Sequence, residues 1–437
     1  MITRRIQYEM AGRVVGPLLM NIERMQKKLK GKKKPRDNPF GPPIQAVKKL
    51  KEIMSIYYLQ GRYADGAVPV AWVTSGFPVE MLAPLGFFSI YPENHAAMCG
   101  VTRSVVEMSD AAEKVGYSRD LCSYARTDFG CVLTGKTPVG RLPKPDLLAC
   151  CSNICQTVLY WYRNLAEYFK VPLVIIDTPF VYGQSPDHHT QYVQDQFEEL
   201  IEVAEKVSGK KMNEQRLKEV SAEALKASNL WGECLAMGQT KPSPWTGFDG
   251  FFHMAPVVTL RGHKVCTDYY RLLLDELSDR VAKGIGGIKN EKYRLMWDNL
   301  PIWFSVREMS NLLAENGFNF VAATYTDAWA AAGKRIDPED PVGSAAKTYQ
   351  HIILNQDLKN RLDLMTTMAK EYAVDGAVLH SDRSCKPYSM GQIDLRERLA
   401  NDAGIKALIL EADHNDPRSY SREQAENRLA AFMESFG

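Results

Sequence analysis

The chain is short of the signatures that most readily assign a function. No uninterrupted apolar run in its 437 residues is long enough to span a bilayer. The N-terminus MITRRIQYEM has no signal-peptide apolar segment, so a cytoplasmic location is expected. There is no Cys-x-x-Cys pair, which excludes the common ferredoxin and zinc-ribbon spacings. Gly-x-Ser-x-Gly, Walker A and Gly-x-Gly-x-x-Gly elements are missing as well. Gly284, Gly286 and Gly287 come nearest to the last of these, but no strand precedes them as it requires. A net charge of +2 gives no global argument for nucleic acid. Neither a short repeat nor a low-complexity tract interrupts the chain, apart from one basic run.

What is there reads as a soluble globular protein of two or three domains, with 45% hydrophobic and 24% charged residues. Nine cysteines in a reducing compartment are expected as buried thiols or metal ligands rather than as a disulfide framework. The basic run KKLKGKKKPR (27–36) carries seven Lys or Arg. It reads first as a solvated arm or partner contact, and next as a means of capturing an anionic cofactor such as coenzyme A. It has no aromatic interleaving, and neither nucleic acid nor membrane is expected as a partner.

The expected fold class is α/β, with two Rossmann-like parallel-sheet domains plus helical N-terminal and linking segments. Residues 1–65 form the helical N-terminal segment with its basic arm. In 66–185, VPVAWVTS, GFFSIYPEN, PDLLACCS and VPLVIIDTPF are continuous apolar strands separated by amphipathic helices, the mark of a sheet covered on both faces. Residues 186–298 read as a helical linking region. In 299–437 the alternation returns with FNFVAATYT, DGAVLHS and IKALILEAD.

Three cysteines stand at the ends of such segments, where open α/β sheets place their sites. Cys155 follows Ser152 and Asn153 at a helix start, where free N–H groups favour a thiolate. Cys385 lies beyond the strand DGAVLHS, and Cys122 lies in a polar stretch with Asp120, Tyr124 and Arg126. Three converging thiolates can hold an iron–sulfur cluster and leave one iron without a protein ligand. Any one cysteine alone is more often a core thiol, and spacing leaves both readings open. Cys150 and Cys151 fit the core reading, while Cys99 and Cys131 stand as reserve ligands. Ser75, Glu80, Glu93 and His95 cluster near the first two strand ends, where Glu93 or His95 could move protons. His253 and His380 read as satisfied near-core imidazoles.

The blocks WVTSGFPVE, YPENHAAMCG, GYSRDLCSYARTDFG, PDLLACCSNICQTVLYWYRNLAEYFKVPLVIIDTPF and RSCKPYSMGQIDLRERL resemble the iron–sulfur subunits of 2-hydroxyacyl-CoA dehydratases and ATP-dependent benzoyl-CoA reductases. The resemblance extends from about Lys51 to the C-terminus and includes FDGFFHMAPVVTLRG and ILEADHNDPRSYSREQAENRL. It implies one [4Fe–4S] cluster on Cys122, Cys155 and Cys385, with one iron lacking a protein ligand, and Ser75 and Glu93 near an acyl-CoA substrate. It also implies a heterodimer with a homologous second iron–sulfur subunit. ATP would be used by a separate iron–sulfur activator, not by this chain. The uninterrupted run from YARTDFG through KTPVGRLPKPDLL, with aromatic-rich strand ends, leans toward the reductase, which would reduce an aryl ring to a cyclic dienoyl-CoA. The alternatives are a dehydratase forming an enoyl-CoA through a ketyl radical, and a non-catalytic electron-transfer or scaffold subunit.

Overall fold

Short apolar runs become strands whose alternate residues face two different cores. In the computed structural model, which describes residues 2–19, 22 and 38–437, the first four strands are β1 (Val70–Val73), β2 (Phe88–Ile90), β3 (Leu147–Cys151) and β4 (Leu173–Ile176). They form a parallel sheet in the order β2-β1-β3-β4. The second sheet is built from β5 (Tyr293–Asp298), β6 (Phe318–Ala323), β7 (Gly376–Asp382) and β8 (Lys406–Ala412). It is also parallel and repeats the same winding, β6-β5-β7-β8. The two-sheet α/β expectation therefore holds. The basic run 27–36 lies outside the described residues.

Period-two alternation decides which core each side chain joins. Val70 and Trp72 of β1, Leu148 and Cys150 of β3, Leu295 and Trp297 of β5, and Val378 of β7 belong to one continuous core shared by the two sheets. Ala71, Val73, Leu147, Ala149 and Cys151 point the other way, under the long helices Asp187–Ser208, Glu214–Ala236 and Lys264–Ala282. Met296, Ala377 and Leu379 face the helices Leu358–Glu371 and Gln392–Ala403. Cys150 and Cys151 are fully buried, as expected of core thiols.

One strand falls where the sequence reads as helical. β5, YRLMWD, is a central strand of the second sheet and begins inside the 186–298 stretch. Its Arg294 and Asp298 break the apolar run, and both are buried with partners. Arg294 pairs with Glu291 at 2.5 Å and donates to the carbonyls of Tyr372 and Gly238, while Asp298 pairs with Arg361.

Four helices position the site: α1 (Pro92–Val101), α2 (Ser123–Thr134), α3 (Gln156–Phe169) and the short α4 (Lys386–Ser389). α1 follows β2, α3 follows β3 and α4 follows β7. α2 is pressed against the helix Val105–Lys114 at Gly130, where an added Cβ would lie 1.9 Å from the Met108 carbonyl oxygen. In each sheet the winding reverses beside its first strand. The crevices at the ends of β1 and β3, and of β5 and β7, are thus the natural places for ligands.

Candidate functional site

Both crevices open into one cavity of about 1040 Å³, its mouth included. Ser75, just past β1, and Cys155, past β3, line it together with Cys385, past β7. Glu93 from the first turn of α1 and Cys122 from the start of α2 complete the polar set. Five of the six expected site residues are therefore brought together. The remaining walls are mostly apolar and aromatic, among them Trp161, Tyr325, Trp329, Ile352 and Leu354, with Thr157 and Arg261 as polar exceptions.

The three cysteines share one local design. Each is the N-cap residue of its helix, Cys122 of α2, Cys155 of α3 and Cys385 of α4. First-turn N–H groups have no partner within the helix and turn toward whatever the cap presents. The backbone N–H groups of Val158 and Thr157 act to lower the Cys155 thiol, and that of Tyr388 the Cys385 thiol, each against the larger effect of burial. At α2 and α3 the helix dipole adds a further preference for negative charge.

The environment opposes free thiolates at Cys155 and Cys385. Burial, and next the neighbouring Cys122, pushes the Cys155 thiol up to about 12. Burial, then Asp382, Cys122 and Cys155, holds the Cys385 thiol well above its ordinary range. Negative charge on Cys155 and Cys385 is thus unfavourable in this dry place until a cation offsets it. Three soft donors at helix starts, lining one largely apolar chamber, fit an iron–sulfur cluster held by three thiolates.

A second layer of polar groups lies behind Cys122. His414 Nε2 is 3.9 Å from its sulfur and 2.9 Å from Ser123 Oγ, and His414 Nδ1 is 2.6 Å from Asp382. Burial works against charge on this imidazole, but Asp382 and Asp413 outweigh it and hold His414 well above its ordinary value. The result is an imidazolium directed at Cys122. It lies in ILEADHNDPRSY, where no local pattern marks its role beyond the family block.

Glu93 is buried, and its Oε1 accepts from the Ser75 N–H at 3.2 Å. Its Oε2 has no hydrogen-bond partner. Burial raises its carboxyl to about 7, against the opposing hydrogen bonds from its own backbone and from Ser75. Near neutrality it can both give and take a proton.

His95 does not reach the cavity. Two residues along a helix are about 200° apart around its axis, so His95 faces away from Glu93. Its Nε2 meets the Thr137 hydroxyl at 2.6 Å. Glu80 is also occupied elsewhere, in a buried ion pair with Arg261 at 2.6 Å. Arg261 donates to the Phe77 carbonyl at 3.0 Å and the Tyr349 hydroxyl at 2.6 Å, and so fixes one wall of the cavity. Cys99 and Cys131, the reserve ligands, lie with His95 rather than in the cavity. His253 and His380 are buried and bonded, to the Tyr269 hydroxyl and the Leu300 carbonyl. Among the described residues no helix is long and apolar enough to cross a membrane.

Known proteins share most of this chain. The family model "2-hydroxyglutaryl-CoA dehydratase, D-component" matches residues 74–436. The chain is 35% identical to the (R)-2-hydroxyisocaproyl-CoA dehydratase alpha subunit of Clostridioides difficile, covering 84% of this chain and 90% of that one. It is 32% identical to the (R)-phenyllactyl-CoA dehydratase alpha subunit of Clostridium sporogenes, over 84% and 89% of the two chains. It is also 31% identical to a subunit of the benzoyl-CoA reductase of Thauera aromatica, over 91% and 96%. The chain belongs to the 2-hydroxyglutaryl-CoA dehydratase D-component family, whose members include subunits of acyl-CoA dehydratases and of benzoyl-CoA reductase.

Proposed function

We propose that this chain is the substrate-binding [4Fe–4S] subunit of a 2-hydroxyacyl-CoA dehydratase, acting on an acyl group with an apolar side chain. The observation that carries the reading is the meeting of Cys122, Cys155 and Cys385 with the Ser75–Glu93 pair in one apolar chamber. Cys122, Cys155 and Cys385 would hold the cluster, which when bound supplies a cationic iron open to a thioester and a one-electron relay.

The chain's own residues do the rest. The apolar walls take the acyl side chain and exclude water from the thioester, which strengthens every polar contact inside. Ser75 places its hydroxyl beside Glu93 and orients the hydroxyacyl end. Glu93, with a carboxyl near 7, gives a proton to the departing 2-hydroxyl and accepts the one released from C3. The net change is 2-hydroxyacyl-CoA to 2-enoyl-CoA plus water, with no net oxidation. Neutral to weakly acidic conditions keep enough of the acid form for the first transfer.

This reading departs from the reductase leaning of the sequence because relatives at 35% and 32% identity are dehydratase subunits. The reductase remains the second reading. It is favoured by the aromatic walls at Trp161, Tyr325 and Trp329 and by the long match to the Thauera aromatica reductase chain. Both readings include a homologous second iron–sulfur subunit and an ATP-hydrolysing iron–sulfur activator. The test is an anaerobic assay of the chain with those two partners, offered 2-hydroxyisocaproyl-CoA, phenyllactyl-CoA and benzoyl-CoA side by side. Enoyl-CoA product supports the dehydratase and a cyclic dienoyl-CoA supports the reductase. An iron-loaded chain that turns over none of the three would be an electron-transfer or scaffold subunit.

A further inference from the structure

The face of α1 opposite Glu93 carries a second cluster of ligating side chains that the proposed reaction does not use. His95 and Cys99 are four residues apart and share that face, and Cys131 of α2 meets them. A ring nitrogen and the two sulfurs lie within 4.8 Å of one another, and all three residues are buried. Cys99 Sγ is 3.9 Å from His95 Nε2. Asp128 stands three residues before Cys131 on the same helix and is completely buried. Its Oδ2 accepts from the Trp161 indole at 2.8 Å, while its Oδ1 has no partner. Its carboxyl senses the charges of His95 and Cys99, and the Cys131 thiol senses the carboxyl in turn. The Nδ1 atom of His95 is likewise buried without a partner.

A buried polar atom without a partner is costly, and Asp128 Oδ1, on the helix that carries the buried Cys131 thiol, calls for something to satisfy it. A tetrahedral zinc ion with bonds of about 2.0–2.3 Å spaces its donors roughly 3.3–3.8 Å apart; the donors of His95, Cys99 and Cys131 already lie within 4.8 Å of one another, and Asp128, one turn before Cys131, would bring its free Oδ1 in as the fourth. We propose that His95, Cys99, Asp128 and Cys131 form a structural zinc site, separate from the cavity that Cys122, Cys155 and Cys385 line. Two ligand pairs, His-x-x-x-Cys on α1 and Asp-x-x-Cys on α2, would then fasten the helix that carries Glu93 to the helix that Cys122 caps. The Thr137 hydroxyl that now meets His95 Nε2 turns aside when the ring binds metal. Thr137 and Cys131 also line a second, solvent-facing cavity beside Lys136 and Arg141, which gives the ion a route in.

The test is metal analysis of the full chain, purified anaerobically after growth with zinc. The expected result is about one zinc per chain in addition to iron. Cys99→Ser with Cys131→Ser should lower zinc about tenfold or more and leave iron unchanged, whereas Cys234→Ser, a buried thiol elsewhere, should change neither. Cobalt in place of zinc should give thiolate-to-cobalt absorption that vanishes in the double variant. A chain that holds less than about a tenth of an equivalent after dialysis against zinc overturns the proposal, as does zinc indifferent to the double substitution. If the double variant loses iron as well, Asp128→Asn decides. It preserves volume and should weaken zinc retention about 10- to 100-fold, and unchanged retention overturns the site.

Discussion

Replacing Glu93 by Gln should stabilise the protein at alkaline pH while removing its turnover. The carboxyl moves from an ordinary 4.5 to about 7 because burial disfavours its charged form. The folded state binds the proton more tightly than the unfolded chain does. Stability is therefore lost as pH rises from the unfolded value toward the folded one, and the full cost remains above it. A shift of this size corresponds to about 3 kcal/mol, of which roughly 2–3 kcal/mol develops between pH 5 and pH 8. The introduced glutamine keeps an oxygen for the Ser75 N–H and does not titrate. The gap between Glu93→Gln and the native chain should accordingly widen in the variant's favour by about 2–3 kcal/mol over that interval. Anaerobic urea unfolding at pH 5, 6, 7 and 8, with the stability difference plotted against pH, measures it. A flat difference would refute the raised carboxyl and with it the proton-transfer role. In the same preparations turnover should fall by about two to four orders of magnitude with iron content unchanged.

Alanine at Cys122, Cys155 or Cys385 should each abolish iron retention, whereas Cys150→Ala should retain iron, all read by iron analysis and visible absorption. Glu80→Gln leaves the buried Arg261 charge without its partner and should cost about 3–5 kcal/mol in denaturant unfolding; a loss below about 1 kcal/mol would show that the Phe77 and Tyr349 contacts suffice. Gly130→Ala forces a methyl group onto the Met108 carbonyl and should destabilise by at least about 1–3 kcal/mol. Its thermal midpoint matching that of the native chain would contradict the close approach of the two helices.

The strands were legible because seven of the eight are apolar runs closed by small or polar residues, as in PDLLACCS and DGAVLHS. β5 was not, since burial of Arg294 and Asp298 depends on Glu291 and Arg361, partners that a local window does not reveal. The three cysteines could be placed at segment ends because Ser152 and Asn153 mark a helix start and SDRSC follows a strand. Their convergence was beyond spacing, since it needs two sheets wound alike to face one another. Glu93 and His95 looked equivalent in YPENHAAM, and only the turn of the helix separates them. Arg261 and His414 went unassigned because each works through a contact distant in the chain, to Glu80 and to Asp382.

The chamber has no owner in either half of the molecule. Cys122 and Cys155 come from the first sheet's half, Cys385 from the second, and the walls divide in the same way. A bound cluster would thus act as a clasp between the halves as well as a reagent. Its loss would remove one link between the halves and leave their union to the continuous core that both sheets share.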